Sequence, residues 1–67
     1  MEKNVTRYRC YFLAGNGRLV GAETIECGND EAAIAESYQR FAGRSTASGF
    51  ELWQGNRQVT AQQTRAS

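Results

Sequence analysis

Histidine is absent from this sequence, and its absence excludes more chemistry than any other feature of the composition. Most zinc sites require histidine or more cysteines than the two present here, Cys10 and Cys27. The nucleophilic and acid–base schemes that depend on histidine are excluded as well. A Gly-Asn-Gly segment at residues 15–17 is too short for a phosphate-binding loop, which should also lead from a strand into a helix. We therefore predict that the protein is not an enzyme and that it binds no metal ion and no cofactor.

A large excess of charge of one sign and a long hydrophobic run are also missing. Eight basic residues against seven acidic ones give a formal net charge of +1, far from the basic excess of a dedicated nucleic-acid clamp. No segment reaches the ~20 apolar residues that a membrane span requires, and the first residues lack the apolar core of a signal peptide. We therefore expect a soluble, cytoplasmic protein with no membrane partner, and nucleic acid is disfavoured as a partner.

The length of the chain leaves room for one core only. A chain of 67 residues buries about 60% of the surface that its unfolded form exposes, so its stability is marginal unless a partner covers part of it. Self-association is therefore a reasonable expectation. We predict one domain over residues 1–59 and a disordered tail over residues 60–67, where large apolar groups and periodicity are lacking.

Two segments rich in aromatic and β-branched residues, 7–13 and 19–27, predict a β-hairpin. A type I′ turn over residues 16–17 sets Leu13 opposite Val20. A three-residue loop with a left-handed Gly17 would instead shift the pairing by one residue. In both registers the two cysteines are too far apart for a disulfide, so we expect two buried or half-buried thiols.

The segment after Gly28 has the pattern of an amphipathic helix. Asn29 or Asp30 can cap its first amide groups, and Gly43 ends it as a left-handed cap would. Its apolar residues recur at spacings of three and four and so share one face. These residues are Ile34, Tyr38, Phe41 and Ala42, with Ala33 beside them. Residues 49–54 alternate as a third strand does, and a type II′ turn at Gly55-Asn56 leads into a short returning strand near residues 57–59.

This order of elements predicts an α+β fold of ββαβ(β) type. The third strand can lie antiparallel beside the first, which gives an antiparallel sheet of order 2-1-3 with a possible fourth strand and one helix on one face. Strand alternation sends the more apolar residues toward the helix. The predicted core consists of Tyr8, Cys10, Phe12, Phe50 and Leu52, packed against Ile34, Tyr38 and Phe41.

The residues that alternate with this core form a second sheet face that no predicted element covers. They are Arg9, Tyr11, Leu13, Val20, Ala22, Glu51 and Trp53. A patch with Tyr, Leu, Val and Trp is larger than a monomer usually exposes to water. We therefore predict a partner-binding surface that includes Arg9, Tyr11, Leu13, Val20, Trp53 and Arg57.

Several kinds of partner are compatible with that surface. The first is a second copy of the chain, giving a homodimer, and the next is a different protein, because Trp, Tyr and Arg often anchor interfaces. A third use is a stacking platform for single-stranded nucleic acid made by Tyr11, Trp53, Arg9 and Arg57, which would make the protein a small regulator. A role as inhibitor or accessory protein of a larger enzyme is also open.

Glu23 is the acidic residue whose predicted position bears on chemistry. The type I′ register places it on the helix side opposite Cys10, where burial could raise its pKa and make it a base. Its strand lies at the sheet edge, however, where a carboxylate can reach solvent. We therefore predict a structural role for Glu23 and no catalytic residue.

The sequence also resembles a group of short proteins of unknown function that are abundant in alphaproteobacteria. The resemblance covers residues 7–59. The matching motifs are Arg7-Tyr8, Tyr11-Phe12-Leu13, Gly17-Arg18-Leu19-Val20, Ile25-Glu26, Asp30-Glu31-Ala32, Ile34-Ala35, Glu51-Leu52-Trp53, Gly55, Arg57 and Val59. It implies the ββαβ order and a bacterial cytoplasmic origin, but no activity, cofactor or binding residue.

Overall fold

A computed structural model describes residues 5–63 and shows an antiparallel sheet with one helix on one face. The elements are β1 (Thr6–Leu13), β2 (Leu19–Cys27), α1 (Asp30–Ala42), β3 (Gly49–Gln54) and β4 (Arg57–Gln63). The four strands lie in the order β2-β1-β3-β4. This confirms the predicted α+β class and the 2-1-3 order, with a fourth strand beside β3. Within residues 5–63, no helix is long and apolar enough to cross a membrane.

The fourth strand is longer than its sequence suggests. It pairs with β3 along its whole length and ends at Gln63, so the prediction of a tail is wrong for residues 60–63. Residues 64–67 lie outside the described part of the chain. Pairing with a neighbouring strand satisfies the backbone groups of residues with weak β propensity, such as glutamine, and a propensity pattern does not show this. A register shift leaves Val59 as an extra residue, which packs against the core.

The turn between β1 and β2 is the three-residue loop, not the type I′ turn. Gly17 has a φ of 83°, in the left-handed region that favours glycine. Its amide donates a hydrogen bond of 2.9 Å to the carbonyl of Ala14, and the amide of Ala14 donates one of 2.8 Å to the carbonyl of Arg18. This loop alone would shift the whole hairpin by one residue.

A β-bulge at Val20 cancels that shift. Leu13 pairs with Leu19, whereas Phe12 pairs with Gly21, so Val20 is the extra residue. The predicted Leu13–Val20 pair is therefore wrong, but all pairs from Phe12 to the far end of β1 are those of the type I′ register. The bulge keeps the apolar residues of β2 on the same face as those of β1, which is the packing reason for it.

The helix begins as predicted and ends differently. The side chain of Asn29 accepts a hydrogen bond of 2.8 Å from the amide of Ala32, and Asp30 and Glu31 lie in the first turn. Gly43 has a φ of −88°, so the predicted left-handed cap is wrong. The loop after it continues as right-handed turns, closed by hydrogen bonds such as that from the amide of Gly43 to the carbonyl of Arg40.

The core lies between the helix and the inner face of the sheet. Its fully buried members are Tyr8, Cys10, Phe12, Ile25, Ala33, Phe50 and Leu52, together with the polar Ser37. The helix therefore approaches the sheet most closely through the buried Ala33 and Ser37, one turn apart. Tyr38 contacts Phe50 with its ring edge-on, as a core-facing residue would, but stays 41% exposed, and Ala42 is exposed. Large rings already fill the inner face of the sheet, so the helix approaches it with small side chains, while Ile34 and Phe41 pack at its sides.

Candidate interaction surface

The outer face of the sheet is formed by the residues that alternate with the core. Cross-strand partners point to the same side, so the pairings fix the members of this face. We call it the open face; it consists of Arg7, Arg9, Tyr11 and Leu13 of β1, Leu19, Ala22, Thr24 and Glu26 of β2, Gly49, Glu51 and Trp53 of β3, and Gln58 and Ala61 of β4. The helix packs on the opposite face, and no other helix or strand of residues 5–63 lies over the open face.

Four side chains at the middle of the open face form a square, which we call the central square. Arg9 pairs with Trp53, and Tyr11 pairs with Glu51. The aromatic residues therefore occupy one diagonal and the two charged residues the other. The indole Nε1 of Trp53 donates a hydrogen bond of 3.1 Å to Oε1 of Glu51, which orients the indole ring along β3.

Apolar side chains border the central square at the hairpin end of the sheet. Leu13 is half-buried, its partner Leu19 is 56% exposed, and Val20 in the bulge is 37% exposed. A shallow groove of about 240 Å³ lies beside them, between Leu13, Gly49 and Ala61. Aliphatic surface of this kind gains free energy when another apolar surface covers it.

The structure brings together most of the predicted surface residues. Arg9, Tyr11, Leu13 and Trp53 lie on the open face as predicted. The placement of Arg57 there is wrong, because its guanidinium contacts the carboxylate of Asp30 on the helix side, at 3.2 Å from Oδ1. The tight two-residue turn sets Arg57, the first residue of β4, opposite Gln54. A nucleic-acid stacking platform would therefore keep Arg9 but lose Arg57.

Leu19 is a large, exposed apolar residue of the open face that the sequence did not place there. It occupies the position opposite Leu13 that the type I′ register assigned to Val20. The left-handed Gly17 and the bulge together produce this change. A Gly-Asn-Gly sequence allows such a loop, but nothing local predicts the bulge that corrects the register.

The carboxylate of Glu23 links the edge strand β2 to the C-terminal end of α1. Its carboxylate accepts hydrogen bonds from Arg40 and, at 2.9 Å, from Arg44. Arg40 also donates to Glu36 at 2.9 Å. The hydrogen bonds from Arg40 and then Arg44 lower the pKa of Glu23, because they stabilise the charged form. The possibility of a raised pKa and a general base at Glu23 is therefore wrong.

Arg44 fills a space that a glycine leaves beside Phe12. Its guanidinium lies 4.4 Å above the centre of the Phe12 ring, a cation–π contact. Gly21 pairs with Phe12, and a Cβ atom there would lie 2.5 Å from Nη1 of Arg44. The glycine inside β2 thus permits the close approach of a charged group, as strand glycines often do.

A second polar cluster joins the start of the helix to β1 and β4. The hydroxyl of Tyr8 donates a hydrogen bond of 2.7 Å to Oδ1 of Asp30, and Arg57 contacts both oxygens of the same carboxylate. The hydrogen bonds from Arg57 and then Tyr8 lower the pKa of Asp30. The hydrogen bond to Asp30 raises the pKa of Tyr8, so the phenol keeps its proton and donates.

We expect the two carboxylates to make the protein less stable in acid. A carboxylate whose pKa is lowered by folding contributes stability that is complete above its unfolded pKa and is lost as the pH falls through the folded value. The ordinary pKa values are 4.5 for Glu23 and 3.8 for Asp30. The urea midpoint, followed by circular dichroism, should therefore fall between about pH 6 and about pH 3. The Glu23→Gln variant should have a lower urea midpoint at neutral pH, and its midpoint should fall less in acid. A midpoint of the unmodified protein that is constant or rises in acid would contradict this expectation.

The cysteines are unpaired, as predicted. Cys10 is buried and Cys27 is half-buried, and neither forms a disulfide. Burial raises the pKa of the Cys10 thiol, which disfavours the reactive thiolate. In the part of the chain from residue 5 to residue 63, no three potential metal-ligating side chains lie close enough together to hold an ion.

Comparison with known proteins adds no relative to this description. No protein-family model, no curated protein and no solved structure matches the sequence. The resemblance to short alphaproteobacterial proteins therefore stays a prediction.

Proposed function

We propose that this chain is a non-enzymatic interaction module that forms a homodimer through its open face. The observation that supports this most strongly is that only one face of the sheet is covered: α1 packs on one face, while Tyr11, Leu13 and Trp53 lie on the other, where no helix or strand of residues 5–63 covers them. Sheets with an apolar face normally bury it against a second layer. A second copy supplies such a layer with the same apolar residues.

The polar group of Trp53 suits burial in an interface. Its indole N–H is already hydrogen-bonded to Glu51, so covering the ring would leave no donor unpaired. Tryptophan and tyrosine contribute much of the binding energy in interfaces when they lie near the centre and are fully desolvated. Trp53 and Tyr11 hold that central position on this face.

The size of the open face sets the expected strength of the dimer. Strands about 4.8 Å apart with about 3.4 Å per residue give a four-stranded face of roughly 450 Å² in projection. Specific interfaces bury about 600 Å² or more of accessible surface on each side, so this face is at the small end. We therefore expect a dimer that dissociates on dilution.

The proposed setting is the bacterial cytoplasm. The resemblance to short alphaproteobacterial proteins supports a bacterial origin. The two unpaired cysteines, Cys10 and Cys27, suit a reducing compartment, where thiols persist.

Trp53→Ala is expected to weaken the dimer at least tenfold in Kd while the domain stays folded, since the ring lies outside the core. Light scattering over a wide range of concentrations measures the mass, and circular dichroism verifies the fold. Tyr38→Ala is the matched control, because it removes an exposed aromatic ring from the helix side; it should leave the mass unchanged. An unmodified chain that is monomeric throughout, or a variant that dimerises as tightly as the unmodified chain, would contradict the proposal.

A further inference from the structure

The open face carries four charged side chains, and two of them have no ionic partner. Arg7 and Glu26 pair with each other at 3.3 Å. Within residues 5–63, Arg9 makes no side-chain hydrogen bond or ion pair, and Glu51 accepts a hydrogen bond only from Trp53. Covering these two charges without compensation is strongly unfavourable, because an ion that is removed from water and left unpaired loses its solvation and gains no partner. Any occupant of the open face must therefore offer an anion to Arg9 and a cation to Glu51.

A second copy of the chain meets that requirement by symmetry. In a twofold dimer, a contact from residue i to residue j is always repeated from j to i. Arg9 and Glu51 are opposite in sign and lie at opposite corners of the central square. A twofold axis that exchanges these two corners places each charged side chain against the oppositely charged side chain of the other copy. The dimer then contains two such contacts.

We infer that the two open faces pack about a twofold axis along the Tyr11–Trp53 diagonal, so that Arg9 of each copy pairs with Glu51 of the other. This inference rests on the proposed homodimer and adds its symmetry and the charges that select the partner. Each aromatic residue on the axis then meets its own counterpart. Tyr11 packs on Tyr11 and Trp53 on Trp53 at the centre of the interface.

The same axis fixes the crossing angle of the two sheets. Neighbouring strands lie about 4.8 Å apart, and residues on one face repeat about every 6.8 Å along a strand, so the diagonal lies about 35° from the strand direction. A twofold axis doubles this angle, and the strands of the two sheets cross at about 70°, nearer to the orthogonal than to the aligned class of sheet packing. Leu19 lies on the continuation of this diagonal, one strand and two residues beyond Tyr11, so it meets Leu19 of the other copy at the edge of the interface.

Charge reversal tests this arrangement with the full chain. Arg9→Glu leaves two acidic residues on the charged diagonal, and Glu51→Arg leaves two basic ones. Each variant alone should be monomeric at concentrations where the unmodified chain is dimeric, with Kd at least tenfold weaker, because like charges meet twice. An equimolar mixture should form a one-to-one heterodimer that is at least tenfold tighter than either variant with itself, since both ion pairs are restored. The double variant Arg9→Glu with Glu51→Arg should dimerise by itself.

Two further variants control for net charge alone. Arg18→Glu in the hairpin loop and Glu31→Arg in the first helical turn make the same changes in net charge at exposed positions away from the open face. Both should leave the Kd of the dimer unchanged. Native mass spectrometry of differently tagged chains, with light scattering, distinguishes homodimers from heterodimers.

The outcomes separate this inference from the proposed function. If Trp53→Ala dissociates the dimer but the mixture yields no heterodimer, the Arg9–Glu51 pairing and its axis are overturned, while self-association through the open face stands. If both charge variants dimerise as the unmodified chain does, the pairing is likewise overturned. If the unmodified chain is monomeric at every concentration, the proposed function fails and the pairing fails with it. Heterodimers in the mixture together with a dimeric double variant support the pairing.

Discussion

Phe50→Ala is expected to lower the free energy of unfolding by about 3–5 kcal/mol, because it removes a large ring from the centre of the core. Phe50 has no exposed surface. Tyr38 meets its ring edge-on at 5.2 Å between ring centres, and Phe41 lies 5.4 Å away. Phe12 faces it across the strand pair. A chain of this length has a total stability of roughly 3–10 kcal/mol, so the variant loses much or all of it.

Urea unfolding followed by far-ultraviolet circular dichroism measures this loss. Tyr38→Ala is the comparison, because it removes the other ring of the edge-on pair, and Tyr38 is 41% exposed. Its cost should be about 1 kcal/mol, the value of one aromatic contact and some burial. If Phe50→Ala cost no more than Tyr38→Ala, the assignment of Phe50 to the centre of the core would be contradicted.

Ala33→Leu is expected to destabilise the protein by about 2–3 kcal/mol, although leucine is as apolar as the core around it. Ala33 has no exposed surface and lies with Ser37 where the helix meets the sheet. The space between these elements is already filled by Tyr8, Cys10 and Phe12. A larger side chain at this point must displace the helix or force unfavourable rotamers.

Ala35→Leu is the matched control for this overpacking. It lies two residues further along the same helix and is exposed, so the two substitutions have the same effect on helix propensity. We expect Ala35→Leu to change the free energy of unfolding by no more than about 0.5 kcal/mol. Similar urea midpoints for the two variants would mean that the helix does not approach the sheet through Ala33.

Side-chain contacts on the helix side of the sheet fix the strands that form the open face. The Glu23 cluster ties β2 to the end of the helix, and the Asp30 cluster ties the helix start to β1 and β4. Both clusters lie on the helix side. These contacts restrict the backbone that carries Arg9 and Trp53. Less conformational entropy is therefore lost when a partner covers the open face.

Much of the fold could be predicted because its signals are local. Alternation of side chains along a strand assigned Arg9, Tyr11, Leu13 and Trp53 to the same face, and capping chemistry placed the start of the helix at Asn29 or Asp30. The separation of the two cysteines also followed from strand pairing. These features depend on a few neighbouring residues and on backbone geometry, so the sequence by itself determined them.

The remaining features depend on contacts between distant residues, and only the tertiary structure decided them. The core-facing side of the helix was set by the space between the rings of the sheet, which favoured Ala33 and Ser37 over larger apolar neighbours. The extension of β4 to Gln63 was set by pairing with β3. The ion pair between Arg57 and Asp30, which are 27 positions apart, depends on how the helix packs on the sheet. Burial, strand pairing and ion pairing of this range arise only when the chain has folded, which is why no local pattern predicted them.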